Sequence, residues 1–146
     1  MAQFFAIHPD NPQDRLIKQA ADIVRSGGVI VYPTDSCYAL GCKLGDKNAM
    51  ERILTIRKID QKHHLTLMCA DLSELGTYAK VDNAQFRQLK AATPGSYTFI
   101  LQATKEVPNR TLHPKRKTIG LRVPDNATAL ALLQELGEPI LSCTLM

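Results

Sequence analysis

Val29-Ile30-Val31-Tyr32-Pro33-Thr34-Asp35-Ser36-Cys37-Tyr38-Ala39-Leu40-Gly41 is the stretch on which the reading of the fold turns. Its first four residues are β-branched or aromatic with no polar alternation, the pattern of a strand covered on both faces. From Pro33 onward the chain is hydroxyl-rich and non-helical. Ligands of open α/β sheets bind just beyond the carboxyl ends of strands, so this segment is a candidate site that offers hydroxyls and backbone N–H groups. The alternative is a plain turn, because Asp and Ser side chains satisfy their own backbone there.

Working outward, Gly27-Gly28 ends a helix whose Leu16, Ile17, Ala20, Ile23 and Val24 recur at helical spacing after Asp10-Asn11-Pro12, a cap with Pro in the first turn. Phe4 to His8 reads as a first strand. Downstream, a helix opens near Asp46 or Lys47 with Ala49, Met50, Ile53, Leu54 and Ile56 as its apolar face. Leu65 to Cys69 reads as a strand and Asp71 to Glu74 opens a short helix. Another helix covers Asn83 to Ala91, with Phe86, Leu89 and Lys90 on the period, until Thr93-Pro94-Gly95 breaks it. Tyr97 to Leu101, Thr118 to Val123 and Pro139 to Cys143 are strand candidates. Asp125-Asn126 caps a helix with Leu130, Leu133 and Leu136 on one side. Interleaved helices and strands predict an α/β (α+β) fold with an open mixed sheet.

The 146 residues are 45% hydrophobic and 22% charged, within the range of one compact domain over residues 1–146. A chain of this length buries about 68–70% of its unfolded surface in one core without a disulfide or metal staple. No apolar run reaches the ~18 residues of a membrane span, and the N-terminus lacks the layout of a signal peptide, so a cytoplasmic location off the membrane is expected. The sequence stops at Met146 directly after an apolar strand candidate, so a truncated C-terminal end is expected. Cys37, Cys42, Cys69 and Cys143 form no C-x-x-C and no His pairing; they read as buried reduced thiols, with no protein-bound metal site. The net charge of +4 fits an anionic ligand or RNA without establishing either.

Two basic groups stand out. Arg57, Lys58, Lys62, His63 and His64 close a helix, where positive charge is favoured by roughly 0.3–1 kcal/mol; they are either an exposed helix end or a phosphate clamp. Lys115-Arg116-Lys117 after His113-Pro114 is either a solvated loop or a contact for phosphate-dense RNA backbone or a triphosphate. Arg122 differs from both. It alternates with Leu121 and Val123, so it projects from one sheet face and can be held rigidly.

PTDSCYALG (33–41), TPGSYTFIL (93–101), TIGLRVPDN (118–126) and PILSCT (139–144) occur in the order of the blocks of the YrdC-like threonylcarbamoyl-adenylate synthase family, which this chain resembles over nearly its whole length. The resemblance implies an open twisted sheet around a basic cavity. It also implies synthesis of threonylcarbamoyl-AMP and pyrophosphate from L-threonine, bicarbonate and ATP, with ATP as a substrate accompanied by Mg2+, in the service of tRNA modification. Binding of double-stranded RNA or tRNA, without turnover, is the alternative. Adenylyl transfer to a carbamate needs positioning and charge neutralisation and no covalent nucleophile.

By the same resemblance, Thr34 and Ser36 with Arg122 hold the amino-acid substrate. Arg57, Thr118, Ser142 and Thr144 hold the nucleotide, and Arg57 with Lys58 form the catalytic pair. Lys115, Arg116 and Lys117 would meet RNA. Ile59 stands where the family has arginine, a loss that Lys58 offsets only if its side chain turns into the cavity. Met146 replaces an asparagine and Ala39 a glycine. Loss of one preorganised donor commonly costs about 10²–10³ in rate, which implies a weak or divergent synthase.

Overall fold

Short apolar strands alternate with side-chain-capped helices in the computed structural model, which describes residues 2–58, 65–108, 111–112 and 116–144. In chain order the elements are α1 (Asp14–Arg25), β1 (Ile30–Pro33), β2 (Tyr38–Lys43), α2 (Lys47–Arg57), β3 (Thr66–Met68), α3 (Leu72–Tyr78), α4 (Asn83–Ala92), β4 (Phe99–Gln102), β5 (Thr118–Arg122), α5 (Ala127–Leu136) and β6 (Ile140–Thr144). Four helix starts follow directly from the sequence. Asp46, Asp71, Asp82 and Asn126 each accept a hydrogen bond from the backbone N–H three residues on, and Asp82 completes a capping box with Gln85.

The strands form one open mixed sheet in the order β1-β2-β6-β3-β5-β4. Among these neighbours only β3 and β5 run parallel. The register sorts residues between the two faces. One face carries Tyr32, Ala39, Met68 and Ile140 and is covered by α1 and α5 through Ile17, Ala20, Ala129, Leu132 and Leu133. The other carries Leu40, Cys42, Leu67, Leu121 and Leu141 against Ala49, Met50 and Ile53 of α2, Leu75 of α3 and Leu89 of α4. Two cores back to back across the sheet therefore replace the single core expected from length.

Several sequence expectations are corrected. Phe4 to His8 is not a strand: Phe4 is 91% exposed, and only Phe5 and Ile7 turn inward. Asp10 and Asn11 do not cap α1; their N–H groups donate to His8 Nδ1, and the helix begins at Asp14 after Gln13. β1 is an edge strand with Val31 55% exposed, not a strand covered on both faces. Residues 38–41 are not loop but the start of β2, paired antiparallel with β1. Ile56 and Phe86 lie in solvent at the margins of their helix faces, and α5 buries Ala129, Leu132 and Leu133 rather than a Leu130–Leu136 row. Of the cysteines, Cys42, Cys69 and Cys143 are buried as expected, whereas Cys37 is half-buried in the turn.

Gly41 explains how a tyrosine crosses the sheet. A Cβ there would lie 2.8 Å from Tyr32 Cε1 and 2.6 Å from Ile140 Cγ2. Its absence lets the Tyr32 ring lie over β2 and reach β6.

Candidate functional site

The β1–β2 turn is built by one threonine. Thr34 Oγ1 donates to Cys37 O at 2.5 Å and accepts from the N–H groups of Ser36 and Cys37 at 3.2 and 3.1 Å. Thr34 N–H closes the turn onto Cys37 O at 3.1 Å. Because Thr34 satisfies the turn, the carboxylate of Asp35 is released from that duty. It reaches across the molecule instead.

Asp35 Oδ1 forms an ion pair with Arg122 Nη2, and Oδ2 accepts from Asp125 N–H at 3.0 Å. Arg122 Nη2 also donates to Ser36 Oγ at 3.1 Å, and Nε donates to Gly95 O at 3.3 Å. Gly95 is itself held by its N–H on Val123 O at 2.9 Å. Asn126 joins the start of α5 to the same turn: Nδ2 donates to Thr34 O at 3.4 Å while Oδ1 caps Ala129 N–H at 3.0 Å. Arg122 is 6% exposed, and burial pulls its guanidinium below the ordinary arginine value. A cation at that depth requires a partner, which Asp35 supplies.

Register puts the other predicted residues around this cluster. Thr118, Gly120 and Arg122 share one face of β5; Thr66 faces Gly120, and Ser142 faces Thr66. Thr144 follows on the same face of β6 and is exposed, and Thr118 is half-exposed. A Cβ at Gly120 would come within 3.1 Å of Thr66 Oγ1, so the glycine keeps that hydroxyl uncrowded. The result is a strip of hydroxyls leading away from a fixed cation, suited to a polar anionic ligand. Ser142 stands apart from that strip in accessibility. It is 1% exposed, its Oγ lies 2.5 Å from Tyr32 Oη, and it donates to Ile140 O at 3.4 Å. Burial pushes the Tyr32 phenol up, so it stays protonated and bonded.

Arg57 ends α2 with its Nε buried and without a partner among the described residues, and Lys58 follows in the left-handed conformation with its side chain exposed. Among the described residues no hydrogen bond or ion pair joins either to the Arg122 cluster. Arg116 and Lys117 are exposed just before β5. Lys115, with Ile59, Lys62, His63, His64, His113, Pro114 and Met146, lies outside the described residues.

Residues 22–146 match the family model of Sua5, YciO and YrdC, described as telomere recombination. The chain belongs to the Sua5/YciO/YrdC family. It is 68% identical over all 146 residues to the uncharacterized protein YciO of Escherichia coli, covering 71% of that relative, and the crystal structure of E. coli YciO superposes on the whole chain with a TM-score of 0.97. A threonylcarbamoyl-AMP synthase of Chromobacterium violaceum is 36% identical over 92% of this chain and 69% of its own length. The P. abyssi Sua5 structure complexed with L-threonine is 27% identical, covering 90% of this chain and 39% of that one, with a TM-score of 0.80.

Sequence reasoning found Thr34, Ser36 and Arg122, which the fold does bring together. It missed Asp35, Gly95, Asp125 and Asn126 as members of the cluster. Asp35 read as a turn residue because local side-chain bonding is the usual fate of Asp beside Ser. The available signal was Thr34, which by itself supplies everything that turn needs.

Proposed function

We propose that this chain is a nucleotide-binding protein with weak or divergent threonylcarbamoyl-AMP synthase activity, working in the cytoplasm on ATP, L-threonine and bicarbonate. The observation that carries the reading is the Thr34–Ser36–Arg122 constellation at the ends of β1 and β5, set beside a strip of hydroxyls on the same sheet face. The relatives named threonylcarbamoyl-AMP synthase and the Sua5 complex with L-threonine support the choice of substrates.

In this reading Arg122 and Ser36 hold the carboxylate and hydroxyl end of threonine, with Thr34 setting the turn beneath them. The threonine amine attacks the carbon of bicarbonate, a C–N bond forms as a C–O bond breaks, and water leaves to give a carbamate. Its oxygen attacks the α-phosphorus of ATP, and the bond to the β-phosphate oxygen breaks to release pyrophosphate. Thr118 and Thr144 contact the nucleotide and Ser142 supports them from below. Arg57, whose Nε has no partner among the described residues, turns to phosphate, assisted by Lys58, and Mg2+ enters with ATP. Ile59 in place of arginine leaves less charge to neutralise the phosphates and accounts for slow turnover.

The test is pyrophosphate release from ATP with threonine and bicarbonate, alongside equilibrium dialysis of ATP. Slow, threonine-dependent release is expected, and Ile59→Arg should raise it. No nucleotide bound at millimolar ATP overturns the reading. The second reading, binding of double-stranded RNA or tRNA without turnover, is favoured by the exposed Arg116 and Lys117 beside Lys115. It predicts salt-sensitive, sequence-tolerant retention whose log–log salt slope falls when the three are replaced by alanine. An unchanged slope removes them from any RNA contact.

A further inference from the structure

The Asp35–Arg122 pair does more than compensate a buried cation. Arg122 has five N–H groups to satisfy, and the fold takes up those of one side: Nε is bound to Gly95 O, and Nη2 to Asp35 Oδ1 and Ser36 Oγ. Nη1 donates to nothing among the described residues and keeps contact with solvent, since it is not among the buried atoms lacking a partner. The guanidinium is planar and rigid, so fixing two of its three nitrogens fixes the direction of the third. Asp35 is in turn held by Asp125 N–H, and the turn that bears it by Asn126, so the carboxylate is not free to follow a moving arginine. Ser36 Oγ accepts from Arg122, which leaves its own proton facing two long contacts, 3.3 Å to Thr34 Oγ1 and 3.7 Å to Cys37 Sγ.

We propose that Asp35 is a positioning residue that aims Arg122 Nη1 and the Ser36 hydroxyl at one ligand anion and, by its adjacent negative charge, makes that site take a singly charged carboxylate in preference to phosphate. The proposal rests on the functional reading above and adds a selectivity device to it. A buried arginine without such a neighbour would attract a phosphate dianion more strongly than a carboxylate, because Coulomb attraction grows with ligand charge. With Asp35 in ion-pair contact the local charge is near zero. A dianion then meets repulsion from Asp35 along with attraction from Arg122, while a carboxylate still gains two directed hydrogen bonds. In a protein whose other substrate carries a triphosphate, this keeps the phosphates out of the amino-acid end of the site.

The test is calorimetric titration with L-threonine, with inorganic phosphate as competitor, on the wild-type chain, Asp35→Asn and Asp35→Glu. Asp35→Asn preserves size and one acceptor while removing the charge. It should weaken L-threonine about tenfold or more, the scale of losing a charge-assisted hydrogen bond, and should make phosphate the stronger competitor. Asp35→Glu should restore part of the preference. A general structural role would weaken both ligands together, so an unchanged ratio of threonine to phosphate affinity in Asp35→Asn overturns the proposal. A measurement on the wild-type chain alone covers the case where the variants fail to fold. Restricted rotation of the clamped guanidinium should split the Arg122 Nη nitrogen signals in NMR, and a single averaged signal overturns the clamp. Wild-type protein that binds no L-threonine counts against the functional reading, and the Nη signals then decide the positioning role by themselves.

Discussion

Tyr32 shows how one side chain can tie a site to the sheet beneath it. Its hydroxyl meets Ser142 Oγ at 2.5 Å, deep in the face that α1 and α5 cover. Tyr32→Phe would keep the ring over Gly41 and delete only that bond, leaving the Ser142 hydroxyl with Ile140 O as its one partner among the described residues. A loss of about 1–2 kcal/mol in urea denaturation is expected, the usual cost of an unmade buried hydrogen bond. A variant as stable as wild type would show that Ser142 has another partner and that the tyrosine is there only for its ring. Cys37 offers a second check at this scale. Three of the four thiols are buried and shielded by packing, and burial pushes Cys42 up to about 12 and raises Cys69 as well, so neither of these two presents a thiolate near neutral pH. Iodoacetamide at mild pH should therefore modify the native chain once, at Cys37. Labelling of Cys42 or Cys143 before unfolding would contradict the packing of β2 and β6.

At the level of elements, the helices were the most legible part of the sequence, because their starts are written in single residues. Asp46, Asp71, Asp82 and Asn126 all cap where the sequence places a helix start. α1 is the exception, since its upstream Asp10 and Asn11 bind a histidine and no side chain caps it. Strands were harder to read where their partners are remote. β2 escaped notice because Tyr38-Ala39-Leu40-Gly41 mixes small and large residues, and only pairing with β1 and β6 identifies it. The site follows the same rule. Thr34, Ser36 and Arg122 belong to recognisable blocks, but the Asp35 ion pair spans 87 positions and has no local signature. The caps carry a quantitative expectation. Asp82→Ala removes the side-chain half of the capping box of α4, leaves the backbone N–H of residue 82 on Gln85 Oε1, and should cost about 1 kcal/mol, lowering the melting temperature by about 2–4 °C in a chain of this size. Because α4 meets the core mainly through Leu89, the variant should fray α4 first. Amide exchange confined to residues 83–92 would bear this out, and uniform loss of protection would not.

Across the whole molecule the sheet separates the face that carries Arg122 and the hydroxyl strip from a second core that includes α3, and one carboxylate at the border of that core makes stability depend on pH. Glu74 accepts from Ala70 N–H at 2.8 Å, yet its carboxyl titrates above the usual glutamate value. Burial is the largest cause, and the charges of Asp71 and Glu138 push in the same direction while the Ala70 bond opposes them. A carboxyl raised in the folded state holds its proton more tightly there than in the unfolded chain. Between the two values the folded state binds more protons, so the slope of unfolding free energy against pH is negative. The contribution of Glu74 is therefore fully present below the ordinary glutamate value and is lost as pH rises through the elevated one. Glu74→Gln keeps the acceptor for Ala70 and removes the titration. Urea midpoints measured from acid to neutral pH should place the variant level with wild type at the acid end and progressively above it as wild-type Glu74 ionises. A difference that stays constant across the range would mean that Glu74 is no less hydrated in the folded chain than in the unfolded one, and that the pH dependence of this fold arises from other groups.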